Sequence, residues 1–248
     1  MSPAALGLAA IVALAFTVEA SLGFGATVVT VALGSMILPI DAILPSYVPL
    51  NLLMSGYLVA RYRREVDGSL LGRRVLPAVL VGMPLGMLAF SRFDERLLKV
   101  AFGAFVVMLA LLELSSAGTP SKLRKPLPRA LGALMLSIGG VAHGAFGTGG
   151  PMVVYVLGRE LAGDKARFRA TLSVLWLVLN AVLVASFVVG GKVDAASATT
   201  TGLLVAPLVL GLFAGEWLHA RIPASRFRGA VFALLGVVGA ALVVRNLG

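Results

Sequence analysis

The 248-residue chain is 59% hydrophobic and 13% charged, about half the charged share of a soluble globular protein, so water is not the main solvent of its surface. Its formal charge of +10 comes from basic residues in short loops between apolar runs, with no aromatic-interleaved basic patch; this is the pattern of membrane topology and argues against a nucleic-acid partner. With no cysteine the chain has no disulfides, thiolate metal sites or cysteine nucleophiles, and no cofactor is expected.

In chain order, apolar segments are predicted at about 4 to 18, 22 to 40, 42 to 60, 75 to 90, 97 to 115, 129 to 142, 146 to 158, 170 to 189, 198 to 218 and 228 to 244. The first begins at Pro3 with no basic residue ahead of it, unlike a cleaved signal peptide, and is expected to stay as a membrane segment. Backbone polar groups cannot go unpaired in lipid, and long unalternating apolar runs exclude a barrel. The fold class is therefore all-α, a polytopic membrane protein. The first two segments, and the sixth and seventh, are short and separated only by glycine-rich stretches. Each pair reads as a broken or re-entrant helix pair or as two spans, beside six firm spans.

Loop charge predicts the orientation. Arg61, Arg63, Arg64, Arg73 and Arg74, then Lys122, Arg124, Lys125 and Arg129, then Arg159, Lys165, Arg167 and Arg169, and finally Arg221, Arg226 and Arg228, are expected on the cytoplasmic side of the cell membrane. Both termini then face outward, and the loop with Arg92 and Arg96, softened by Asp94 and Glu95, is the exception.

Two halves, 1–120 and 121–248, match one another and together make one transmembrane domain. Asn51 and Asn180, Gly82 and Gly211, Gly86 and Gly215, Arg92 and Arg221, and Ala101 and Ala230 all stand 129 residues apart. Phe24-Gly25 and Phe146-Gly147 stand 122 apart, which predicts a seven-residue insertion in the loop from Arg159 to Arg169. An odd number of crossings per half makes the repeat inverted.

The most unusual stretches are Glu19-Ala-Ser-Leu-Gly-Phe-Gly-Ala-Thr27 and His143-Gly-Ala-Phe-Gly-Thr-Gly-Gly-Pro151, at matching places where the apolar runs break. Dense glycine loosens a helix and Pro151 suits the first turn of a new one. A helix N-terminus inside a membrane presents unpaired N–H groups and partial positive charge, which suits an anion. The predicted substrate site is Gly23, Phe24, Gly25, Thr27, His143, Gly144, Phe146, Gly147, Thr148, Gly149, Gly150 and Pro151; the same glycines also suit close helix packing.

On the Gly23-Phe-Gly25 and Gly144-Ala-Phe-Gly-Thr-Gly-Gly-Pro151 breaks and the duplicated architecture, nearly the whole chain resembles the sulfite exporter TauE/SafE family of membrane proteins. The resemblance implies a secondary transporter that carries sulfite, a sulfonate or another small organosulfur anion across the cytoplasmic membrane, in the export direction.

Other polar residues extend the site. Glu19, expensive to keep ionised in lipid, is a candidate for proton coupling or an interfacial residue. His143 can bind the anion, relay a proton, or simply bond a helix end. Asn51 and Asn180, equivalent across the repeat, can donate to a substrate oxygen or join two helices. Ser21, Thr27 and Thr148 add hydroxyls that can equally bond their own backbone. Glu113 and Glu216 read as interfacial, and Trp176 and Trp217 as packing or interface anchors. His219 is the second of two histidines, so no histidine-rich metal site is expected.

The chain has no nucleotide-binding Gly-x-x-x-x-Gly-Lys loop, carboxylate-rich metal motif or His-Glu pair at helical spacing, so an enzyme is not expected. A passive anion channel and a membrane-embedded enzyme are the competing readings. The expected partners are the small anion and the lipid bilayer, and small-residue faces are compatible with a homodimer.

Overall fold

The computed structural model describes residues 3–22, 24–115, 126–162, 164–219, 221 and 224–247. Among them there is no strand, and the helices are α1 (Pro3–Leu22), α2 (Ala26–Gly34), α3 (Ile40–Tyr62), α4 (Gly68–Leu70), α5 (Leu76–Arg92), α6 (Glu95–Ser115), α7 (Arg129–Phe146), α8 (Gly150–Glu160), α9 (Lys165–Val189), α10 (Ala195–His219) and α11 (Ala224–Leu247). A π-helical turn, Leu71–Val75, joins α4 to α5. Setting the three-residue α4 aside as the first turn of α5, each expected apolar segment has become one helix. The expected loop residues Lys122, Arg124 and Lys125, and Gly23 of the expected site, lie outside the described residues.

Seven stretches have the length and apolarity to cross a membrane: Ala4–Ser21, Ile40–Glu65, Gly68–Arg92, Arg129–Phe146, Ala166–Val189, Ala195–Leu218 and Gly229–Leu247. At 21 residues, about 31 Å of rise, α6 is long enough as well. The two pairs that read as short segments are not symmetric in length. Their first members, α1 and α7, run 20 and 18 residues and are long enough to cross, whereas α2 and α8, at 9 and 11 residues, rise only about 14 and 17 Å and are too short to do so. The break falls at the end of a complete helix, not in the middle of one.

The chain forms two compact units, each drawing on both halves of the sequence. The first comprises Met1–Tyr47, Phe93–Gly118 and Val193–Gly248; the second comprises Val48–Arg92 and Thr119–Lys192.

In the second unit α5 and α7 run parallel in a contact made by glycine on both faces. A Cβ on Gly82 or Gly86 of α5 would fall on the carbonyl oxygens of Ser137 or Val141, and one on Gly140 or Gly144 of α7 would fall on those of Val79 or Met83. Backbone thus lies directly on backbone, and the Ser137 hydroxyl donates to the Ala78 carbonyl at 2.8 Å across the seam. Lipid tails are as apolar as leucine side chains, so helices gain little from hiding apolar surface from one another; close packing of this kind is what holds them.

The first unit repeats this arrangement with α1 and α10. Gly211 and Gly215 of α10 lie against Ala13 and Thr17 of α1, and Ser21 donates to the Gly215 carbonyl at 3.0 Å. The glycines of the two contacts stand 129 residues apart and their partners 124 apart, Ala13 with Ser137 and Thr17 with Val141. In the same unit α6 and α11, whose first residues are also 129 apart, lie antiparallel. Gly103 meets Gly239, Ala110 meets Gly236, and Arg96 donates to the last carbonyls of α11, those of Asn246 and Leu247, at 2.5 and 2.9 Å.

Replacing Gly82 with valine should separate α5 from α7 and destabilise the protein by about 1–3 kcal/mol or more, the range for overpacking a well-filled contact. Gly202→Ala, in open space on α10, should be neutral or slightly stabilising. Thermal unfolding in detergent checks this: a Gly82→Val midpoint equal to that of the wild type would contradict the packing described.

Candidate functional site

Each unit contains one break between a full helix and a half-helix. In the second, α7 ends at Phe146 and its C-cap is Gly147, at φ 65°, whose N–H donates to the His143 carbonyl at 2.8 Å. The left-handed conformation explains glycine there. The chain turns back within three residues, and Gly149 becomes the N-cap of α8. At φ −91° Gly149 needs no left-handed freedom. Its reason is proximity, since a Cβ would fall on the Gly139 carbonyl of α7 and lie 3.1 Å from the His143 Cβ. Pro151 occupies the first turn of α8 as expected; the N-cap, Gly149, has no side chain to offer, and among the described residues no other side chain caps that end. Gly150 and Met152 therefore present backbone N–H groups without intrahelical partners, Pro151 having none to present.

Around this end lie buried polar groups whose bonding capacity is unfilled. His143, 1% exposed, is one turn from the end of α7, and neither ring nitrogen makes a well-aligned hydrogen bond, although the backbone of Leu179 on α9 lies within reach of the ring. Its ring stacks on Trp176 of α9 at 5.7 Å between centroids and 10° between planes. Trp176 also borders the half-helix, its Cζ2 lying 3.9 Å from where a Gly150 Cβ would stand. One turn further along α9, Asn180 is 3% exposed with an unpartnered Oδ1. Thr148, in the break itself, is 4% exposed. Buried polar atoms are normally satisfied, so the unfilled capacity of His143 and Asn180 makes this end the candidate site of the unit. Asn51 of α3 is buried in the same unit and is already engaged with a partner.

The far end of α8 is anchored. Arg74, in the π-helical turn, pairs with Glu160 at 2.7 Å, and Arg159 donates to the Tyr155 hydroxyl at 2.6 Å. Arg167 reaches Asp67 at 3.8 Å, and the Asp67 N–H donates to Thr171 at 2.9 Å. The basic residues of 61–74 and 159–169 thus collect at one end of the unit. The uncapped end of α8 lies about 17 Å from it, roughly half the thickness of a hydrocarbon core.

The first unit's break differs in chemistry. Gly25, at φ 109°, is the N-cap of α2 and offers no side chain, yet the end is capped: the Ala26 N–H donates to Glu19 Oε2 at 3.0 Å. Glu19 thus reaches from the last turn of α1 onto the half-helix that follows. Phe24 packs on Phe232 with centroids 6.3 Å apart, and Thr27 is buried and bonded. Glu19 precedes its half-helix by seven residues, and so does His143. The helix ends therefore correspond at a spacing of 124, not the 122 suggested by the two Phe-Gly dipeptides, and the insertion is five residues, not seven. Phe146 closes α7 whereas Phe24 lies beyond α1, and Gly147 is a C-cap whereas Gly25 is an N-cap.

Of the other expected site residues, Gly144 spends its bare face on α5 and Phe146 is buried at the helix end. Sequence reading missed Trp176, which is indistinguishable in sequence from an interface anchor until its ring is seen on His143.

A valine at Gly149 should push α8 off α7 and lower transport more than about tenfold, the scale on which a displacement near 1 Å acts on a positioned site, while membrane insertion persists. Gly158→Ala, in open space on α8, serves as the control. Wild-type transport by Gly149→Val would contradict the role given to this break.

Comparison with known proteins identifies the context of these features. The profile of the family described as sulfite exporter TauE/SafE matches residues 8–242. A curated relative, the probable inner membrane transporter protein TsaS of Comamonas testosteroni, is 26% identical over 196 residues, covering 79% of this chain and 78% of that protein. No solved structure matches. With the family profile spanning all but the ends of an all-α, polytopic chain, the protein belongs to the TauE/SafE family of membrane transporters and is not an enzyme.

Proposed function

We propose that the protein exports a small organosulfur oxyanion, sulfite or a sulfonate, and that the anion is received at the N-terminus of α8 by His143, Thr148, Asn180 and the N–H groups of Gly150 and Met152. The observation that carries this reading is the coincidence of an uncapped half-helix with the buried His143 ring, whose nitrogens make no well-aligned hydrogen bond, and the buried Asn180 amide. An oxyanion accepts every bond these groups can donate. A neutral imidazole donates through one nitrogen, and an amide can turn over to present its N–H2. The partial positive charge of the half-helix adds to both. Trp176, stacked on His143, offers an apolar wall to an organic substituent on the sulfur.

Orientation follows from the basic end of the second unit. With those residues cytoplasmic, the anion enters from the side of the arginines and meets the half-helix midway.

Proton coupling is assigned to Glu19. It is the acidic residue of α1; α2 carries none, α10 carries the exposed Glu216, and the charged residues of α11 are Arg226, Arg228 and Arg245 in its end turns. A carboxyl that bonds an N–H at a half-helix end when ionised, and loosens it when protonated, can tie a proton to a helix movement.

Flux into proteoliposomes of purified protein, with sulfite, sulfoacetate, thiosulfate and sulfate offered in turn with and without a pH gradient, tests the reading. Saturable, gradient-driven movement of one of these anions is expected, and leakage proportional to concentration would favour a passive pore. Glu19→Gln should abolish the response to the pH gradient while the anion still binds; an unchanged response would remove Glu19 from the coupling.

A further inference from the structure

The two half-helix ends carry different occupants. At α2 the N-terminal N–H is held by Glu19, a carboxyl group that carries a single negative charge when ionised. At α8 the residue in the matching place is His143, seven positions before the half-helix, and the N-terminus has no side-chain cap. From the first break we read what the fold pairs with a half-helix end, and from the second a place left open for the same thing. Resting on the anion site proposed above, we infer that α8 selects for charge state: it accepts a singly charged oxyanion head, a sulfonate or hydrogensulfite, in the position that the Glu19 carboxylate takes at α2, and rejects dianions.

The charge inventory of the open end supports this. A half-helix presents a partial positive charge of about one half, and His143, Thr148 and Asn180 add neutral or singly ionisable donors. From Ala130 to Gly158 and from Ala170 to Val189, the stretches that carry α7, the break, most of α8 and the Trp176–Asn180 turn, there is no lysine or arginine. The nearest arginine along α8 is Arg159, nine residues beyond Gly150 and engaged with Tyr155. The cost of moving an ion out of water rises with the square of its charge, so a dianion loses roughly four times the hydration of a monoanion of similar size. On α5, packed against α7, the cation is Arg92, exposed at the last residue, and Lys192 lies over the Phe90 ring at 4.8 Å. Backbone dipoles and neutral donors suffice for the first charge, and the stretches named above supply no counter-ion for the second.

Wild-type protein in liposomes provides the test, with competition against sulfite uptake as the readout; sulfoacetate, a dianion through its carboxylate, belongs with the poor competitors. Methanesulfonate and ethanesulfonate, each singly charged, should inhibit, and sulfate and thiosulfate should require at least about tenfold higher concentration, one decade being a modest share of the difference in hydration. For sulfite, which near neutrality is a mixture of the mono- and dianion, the apparent affinity should follow the monoanion fraction as external pH changes, in Glu19→Gln as well as in the wild type. Sulfate inhibiting as well as methanesulfonate would overturn the inference while leaving the transporter reading intact. No saturable uptake of any of these anions would instead overturn the proposed function on which it rests. Substitution of His143 by asparagine, which keeps a neutral donor, should retain the preference for single charge; a switch to dianions in that variant would also count against it.

Discussion

A helix that stops inside a membrane leaves N–H groups that neither water nor lipid can satisfy, and most of this structure can be understood as the handling of two such stops. At α2 the protein closes the end itself with Glu19, and at α8 it leaves the end uncapped and surrounds it with buried groups short of partners. The first arrangement is self-sufficient, since the carboxylate and the half-helix end each relieve the other's exposure to a poor solvent. In the proposed reading, the second is completed by the transported anion. A transporter needs this kind of incompleteness, because a site satisfied by its own side chains has nothing to offer a substrate.

Holding a half-helix in place requires a rigid neighbour, and glycine supplies it. The seam of Gly82 and Gly86 with Gly140 and Gly144 brings α5 and α7 together at backbone distance, and Gly139 with Gly149 does the same for α7 and the start of α8. The break is thereby fixed to the tightest helix pair in its unit, and the Arg74–Glu160 pair pins the other end of α8. Position within a fraction of an ångström matters for a site made largely of backbone donors, because a dipole that is misdirected contributes little.

Much of this was legible in the sequence for one reason: in lipid, apolar length and helix are nearly synonymous. The ten apolar segments became ten helices, Pro151 opened α8, and the spacing of 129 between glycines reappeared as equivalent contacts in the two units. What misled was identity of letters at the breaks. Phe24-Gly25 and Phe146-Gly147 look like copies, yet one lies before a half-helix and the other ends a full helix, because glycine serves an N-cap and a C-cap alike. The correct register pairs a glutamate with a histidine, a match no similarity of residues would suggest. Trp176 was equally hidden, as stacking on His143 depends on α9 passing the break at a height that sequence does not encode. The lengths of α1 and α7 were underestimated because small residues, which pack helices in a membrane, dilute the hydropathy that marks a span.

The central claim is that the transported anion sits at the N-terminus of α8, and locating a bound anion tests it most directly. A crystal of the protein soaked with bromomethanesulfonate, its bromine placed by anomalous scattering, should show the sulfonate head within hydrogen-bond distance of the Gly150 N–H and the His143 ring, with the bromine beside Trp176. Bromine next to Glu19 at α2, or α8 vacant in crystals soaked at concentrations that saturate transport, would contradict the account.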